Sequence, residues 1–111
     1  MSDAMAMEAL NQTIFREMNE WSEEENDGRL GTTPRMNGYL CECSDRRCTE
    51  PISLTREEYE SVRAVPIRFA IALNHENPEI DRVLFEGERF ATVEMAYREG
   101  AKIARASDPR R

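Results

Sequence analysis

Three cysteines fall within eight residues, Cys41, Cys43 and Cys48, in the stretch Tyr39-Leu-Cys-Glu-Cys-Ser-Asp-Arg-Arg-Cys48, and the chain has no others. Whatever this chain folds into must place three thiols close together. Residues two apart on an extended segment project from the same face, so Cys41 and Cys43 share a side, and a four-residue turn returns Cys48 to them. Converging thiolates repel one another unless a cation lies between them. Zinc meets that demand, because it takes tetrahedral Cys and His ligands with Zn–S bonds of about 2.3 Å. His75, the only histidine, stands in the polar turn Asn74-His75-Glu76-Asn77-Pro78 after a strand-like run and is the expected fourth ligand; Glu42, Asp45, Glu76 or a water are alternatives. The spacing differs from the C-x2-C pair of zinc fingers. Reading Cys41 and Cys43 as small buried hydrophobes leaves Cys48 unexplained, since it follows a Ser-Asp-Arg-Arg turn that no core needs.

Size strengthens the case for a staple. At 111 residues the chain holds a single core, and the segment that reads as compactly folded, 36–97, spans only about 60 residues, a length that often needs a metal or disulfide. An odd cysteine count and the lack of a basic region followed by an apolar run at the N-terminus predict reduced thiols and a cytoplasmic protein. The longest apolar run, Phe69-Ala-Ile-Ala-Leu73, is far short of the ~20 residues that cross a bilayer. No membrane association is expected.

The order of elements predicts an α+β fold. From Asp3 to Ser22 the residues Met7, Leu10, Ile14, Met18 and Trp21 recur at helical spacing on one stripe. That stripe either packs on its own domain or serves as a dimerisation or partner-binding face, the latter favoured by its two adaptable methionines and by the acidic, Gly/Thr/Pro-containing linker Glu23–Pro34 that follows. After the Asn37-Gly38 turn, Tyr39–Cys43 and Pro51–Leu54 read as a β-hairpin that carries the thiols. Thr55 and Glu58 form a capping box, with Leu54 and Tyr59 at the staple positions, so a helix begins there; Pro66 stops it. Arg68–Leu73, Asp81–Glu86 and Arg89–Met95 read as strands of a short antiparallel sheet, the last two joined around Gly87. Residues 99–106 are a weak helix weakened further by Gly100, which costs roughly 1 kcal/mol against alanine in a helix interior. The expected organisation is 1–30, helix and acidic linker; 31–97, zinc-binding α+β domain; 98–111, basic tail.

Charge argues against nucleic acid. The net charge is −7, with eight acids against two arginines in residues 1–30 and five bases against two acids in residues 98–111. An acidic body repels a phosphate backbone, and the basic tail is too short to reverse that. No Gly-rich phosphate loop, no Ser-His-Asp set independent of His75 and no basic-aromatic stripe occurs.

These residues resemble a group of small actinobacterial proteins, most of them uncharacterised, that share a Phe/Tyr-Leu-Cys-Glu-Cys-x4-Cys pattern followed by Leu-Thr-x-x-Glu-Tyr-x-x-Val-Arg, Arg-Phe and Gly-His-Glu. Here those positions are Tyr39 to Cys43, Cys48, Leu54, Thr55, Glu58, Tyr59, Val62, Arg63, Arg68, Phe69, His75 and Glu76. The likeness covers about residues 37–95 and extends in part to the N-terminal helix; this chain carries Asn74 where the group usually has glycine. The resemblance implies that the cysteines and the histidine belong together, and it implies no reaction.

Glu42, Asp45 and Glu50 beside the thiols invite an acid/base reading. Three cysteines and a histidine, however, leave zinc no open position, and three thiolates more than neutralise a dication, so a structural ion is expected rather than a catalytic one. The sequence therefore predicts a small non-enzymatic zinc protein acting as a regulatory or protein-interaction module, with a protein partner or a second copy engaged through Met7, Leu10, Ile14, Met18 and Trp21. The alternative is a thiol-based redox or metal sensor that releases zinc on oxidation.

Overall fold

The computed structural model describes residues 2–26 and 36–110, the side chains of 2, 3 and 23–26 excepted. It is an α+β fold with three helices and two small antiparallel sheets. In chain order the elements are α1 (Ser2–Asn26), β1 (Met36–Leu40), β2 (Pro51–Thr55), α2 (Arg56–Arg63), β3 (Arg68–Ile71), β4 (Asp81–Glu86), β5 (Ala91–Met95) and α3 (Arg98–Ala106). Strands β1 and β2 pair with Tyr39 opposite Ile52, and the second sheet has the order β3-β5-β4 with Phe69 opposite Val93. This is the sheet of the last three strands that the sequence predicts.

Alternation sets the core. Ile52 and Leu54 of β2 and Ala91, Val93 and Met95 of β5 face inward at every second position. They meet Tyr59 and Val62 of α2, Phe69 and Ile71 of β3, and Ile80. Tyr39 stacks on Tyr59 with ring centroids 4.3 Å apart, which couples the hairpin to α2. Helix α2 starts where its capping box requires: Glu58 N donates to Thr55 Oγ1 at 3.1 Å, and Thr55 N donates to Glu58 Oε1 at 2.8 Å. Arg89 from the β4–β5 connection closes a two-pronged ion pair on the same Glu58, at 3.0 and 2.7 Å.

Helix α1 docks on the body, and it does so with its polar side. Ala9, Gln12, Thr13, Arg16 and Asn19 are buried, whereas Met7, Leu10, Ile14, Met18 and Trp21 are exposed. Most polar atoms of this face are matched, Gln12 Oε1 and Arg16 Nε excepted. Gln12 Nε2 donates to Asp81 Oδ1 at 3.1 Å, and Asn11 Nδ2 donates to the Ser44 carbonyl at 2.9 Å. Arg16, fully buried, donates to the carbonyls of Pro66 at 2.6 Å and Ala104 at 2.8 Å and lies over the Phe69 ring. The helix also runs on through Glu23, Glu24 and Glu25 to Asn26, where the sequence suggests a linker; the rest of that linker, residues 27–34, lies outside the described residues.

Gly100 has a packing reason. A Cβ there would lie 2.6 Å from Met95 Sδ and 3.0 Å from the Ala9 Cβ, so glycine allows α3 to sit against α1. The expected weak helix is thereby held by tertiary contact, with Ala101 and Ala104 buried. Just past its end Arg63 of α2 pairs with Asp108 at 2.5 Å and with Glu20 of α1 at 2.8 Å, tying α1 and α2 to the segment after α3 at one buried guanidinium.

Candidate metal centre

The thiols sit where the hairpin changes partner. Strand β1 ends at Leu40, three residues short of the expected end at Cys43, because the chain there leaves its ladder with β2 for β3. Cys41 N still donates to the Glu50 carbonyl at 3.2 Å, but Glu42 N donates to the Ala70 carbonyl at 2.8 Å. The segment stays extended, so Cys41 and Cys43 face one way and Glu42 the other. Cys48 returns through a tight turn, closed by Cys48 N to the Asp45 carbonyl at 3.0 Å and Arg47 N to Asp45 Oδ1 at 2.9 Å.

His75 arrives from the turn after β3. Its N–H bonds the Ala72 carbonyl at 3.1 Å, and Asn74 before it adopts φ of 69°, a left-handed conformation that asparagine tolerates better than other non-glycine residues. This is how Asn74 occupies a position where glycine would be unstrained. The imidazole Nδ1 lies 3.5 Å from Cys41 Sγ and 3.6 Å from Cys48 Sγ. The ligand atoms of Cys41, Cys43, Cys48 and His75 all lie within 4.8 Å of one another.

These distances suit a tetrahedral ion. Bonds of about 2.3 Å to sulfur and 2.0 Å to nitrogen place neighbouring ligand atoms about 3.5–3.8 Å apart. The donor set agrees with the geometry. Ala72 N donates to Cys41 Sγ at 3.1 Å, a bond that favours the thiolate. Without a cation the three thiols cannot ionise together: hydrogen bonds from Cys41 and His75 hold Cys43 below the ordinary thiol range, its bond to Cys43 and burial push Cys41 up, and burial pushes Cys48 up. A metal removes that conflict by stabilising every thiolate at once. Cys41 and Cys43 are buried while Cys48 and His75 are half-buried, so the site has one face toward solvent.

Glu42, Asp45 and Glu76 are not part of this cluster. Glu42 is fully buried on the opposite side, where its carboxylate accepts from Asn19 Nδ2 at 2.9 Å, Tyr59 OH at 2.6 Å and Ala70 N at 3.0 Å. Burial pushes its carboxyl up, and these three donors together with the charge of Arg63 pull it back. Asn19 also grips the hairpin itself, donating to the Leu40 carbonyl at 2.9 Å and accepting from Leu40 N at 2.8 Å. Strict alternation along Cys41-Glu42-Cys43 is the signal that assigns Glu42 to the inner side. The Ala72 N–H has no counterpart in the sequence, because it is a backbone group. Arg46 and Arg47 are exposed on the turn.

The fold and the site define a small α+β module with a Cys3His cluster that can hold a metal ion. No family model, curated protein or solved structure matches the chain. Among the described residues no helix is long and apolar enough to cross a membrane.

Proposed function

We propose that this chain is a non-catalytic, cytoplasmic protein-interaction or regulatory module whose Cys41, Cys43, Cys48 and His75 hold a structural zinc ion, and whose contact surface is the outer face of α1. One observation carries the reading: α1 is fixed to the body by its polar side, leaving Met7, Leu10, Ile14, Met18 and Trp21 outward, with Trp21 69% exposed. A helix already anchored elsewhere has no folding reason to display such a stripe, and contiguous exposed apolar surface of that kind marks binding sites. The four-ligand set supports a structural ion, since tetrahedral coordination by these residues leaves no position for substrate.

The test combines metal content with surface substitution. Protein purified without added metal should contain one zinc per chain, and Leu10→Glu with Ile14→Glu should abolish association while zinc content and folding persist. Loss of zinc and of folded structure in that double variant would make the outer stripe part of the core and end this reading.

A second reading rests on the half-buried Cys48 and His75, which leave the cluster open on one side. In that reading peroxide oxidises two of the thiolates to a disulfide and zinc leaves. Reversible zinc release under mild peroxide, with recovery on reduction, would favour it over a purely structural ion.

A further inference from the structure

The outer stripe of α1 is a palindrome. Met7 and Trp21 stand seven residues on either side of Ile14, and Leu10 and Met18 stand four residues on either side. A two-fold axis through Ile14 therefore maps each of the five stripe residues of one copy onto a stripe residue of another. On the interaction-module reading above, we infer that the partner is a second copy of this chain, docked antiparallel along α1 so that Ile14 meets Ile14, Leu10 meets Met18 and Met7 meets Trp21.

Isologous contacts have this reciprocity, in which residue i touches j and j touches i. Charge selects the antiparallel sense. Glu17 is the one exposed charge with a described side chain within the span of the stripe, three residues after Ile14. A parallel pair would set Glu17 against Glu17, whereas the antiparallel pair sets it near Asn11. Of the remaining acids of α1, Asp3 and Glu8 lie in its first half and Glu20, Glu23, Glu24 and Glu25 in its second. Antiparallel docking lays that half along the partner's N-terminal half, where the helix dipole is positive. A parallel pair would stack all four acids of the second half on their own copies, whereas the antiparallel pair opposes only Glu20 with Glu8 and Glu25 with Asp3.

Area and shape agree with a weak, specific dimer. The five side chains leave on the order of 500 Å² of apolar surface open, so pairing buries about 1,000 Å² in all, at the small end of specific interfaces and consistent with micromolar affinity. Beside Trp21 a groove of ≈ 500 Å³ opens over Tyr39, Leu40 and Pro51. It leaves room for the Met7 end of the second helix.

A charge swap tests both the partner and the direction. Sedimentation velocity of the full zinc-loaded chain, from low to high micromolar, should show a monomer–dimer equilibrium. Leu10→Glu should shift it to monomer by at least tenfold in dissociation constant, as should Met18→Lys alone. The double variant Leu10→Glu with Met18→Lys should recover most of the association, because each glutamate then faces a lysine of the other copy, while in one helix the two lie eight residues apart and do not pair. Zinc content and circular dichroism should match wild type throughout. A wild-type monomer at every concentration would overturn the second-copy inference and leave the interaction reading to its own test. So would a dimer indifferent to Leu10→Glu, or a double variant weaker than either single one. Loss of zinc and helicity in Leu10→Glu and Met18→Lys alike would instead overturn the interaction reading, and this inference with it.

Discussion

The metal corner and the inner face of α1 lie on opposite sides of Glu42, and they close the molecule by different means. At the corner, four side chains from two loops point at one spot, and none has a useful role there without the others. Along α1 the attachment is spread over Gln12, Arg16, Asn19 and Glu20, each bonded to a different part of the body. A convergent site fails all at once; a distributed one weakens in steps of about 1 kcal/mol per hydrogen bond, more where a charge or a buried carbonyl is stranded. The difference shows why the two regions can serve separate ends. On the proposed reading the corner fixes the fold, while the polar contacts that hold α1 leave its apolar side exposed.

The largest effect should come from breaking the corner. Cys48→Ser or Cys41→Ser is expected to remove the cooperative melting of residues 36–97, because structural zinc binding is itself folding free energy, on the order of 10 kcal/mol or more in small zinc modules. His75→Ala should weaken metal affinity yet retain folding in excess zinc, since water replaces a neutral ligand more readily than a thiolate. Circular dichroism melts with and without chelator check both, and an unchanged melt for Cys48→Ser would contradict the role given to the corner.

A smaller loss should follow from loosening α1. Arg16→Met keeps length and packing over Phe69 but strands the Pro66 and Ala104 carbonyls, at a cost of about 2–4 kcal/mol. Denaturant unfolding at saturating zinc should show this loss with metal stoichiometry unchanged. A loss of zinc in proportion to stability would mean that α1 and the corner are one unit rather than two.

The smallest expected change has a sign that separates packing from propensity. Gly100→Ala should stabilise an isolated helix by roughly 1 kcal/mol, yet here the new Cβ meets Ala9 and Met95 and forces α1 and α3 apart, for a net cost of about 1–2 kcal/mol. A more stable alanine variant would show that the α1–α3 contact gives way easily.

Much of this architecture is visible in local patterns. The Thr55–Glu58 capping box, the hairpin around Gly87 and the grouping of Cys41, Cys43 and Cys48 rest on short-range rules, in which spacing fixes direction, while His75 joins that group as the only histidine of the chain. Helix α1 shows where such rules stop. Periodicity identifies which residues share a face, but which face turns inward depends on partners far away in the chain, here Leu40, Pro66, Asp81 and Ala104. Arg16, Gln12 and Asn19 are ordinary surface residues by composition, and only the carbonyls and carboxylates waiting for them make their burial favourable. Gly100 has the same lesson at smaller scale, since a glycine that weakens a helix in isolation is what admits the neighbouring helix. The strand ending at Leu40 instead of Cys43 likewise reflects a switch of partner from β2 to β3 that no local signal marks.

The central claim is that the four residues of the corner hold one tetrahedral ion on which the body depends. Titrating cobalt(II) into the reduced, metal-free full chain tests this most directly, because cobalt takes the zinc position and its absorption reports geometry and thiolate ligation. The account predicts saturation at one cobalt per chain, intense visible bands of tetrahedral coordination with thiolate-to-metal charge transfer, recovery of the cooperative melt, and displacement by zinc. Weak octahedral bands, no saturation at one equivalent, or a melt that is the same before and after metal addition would contradict it.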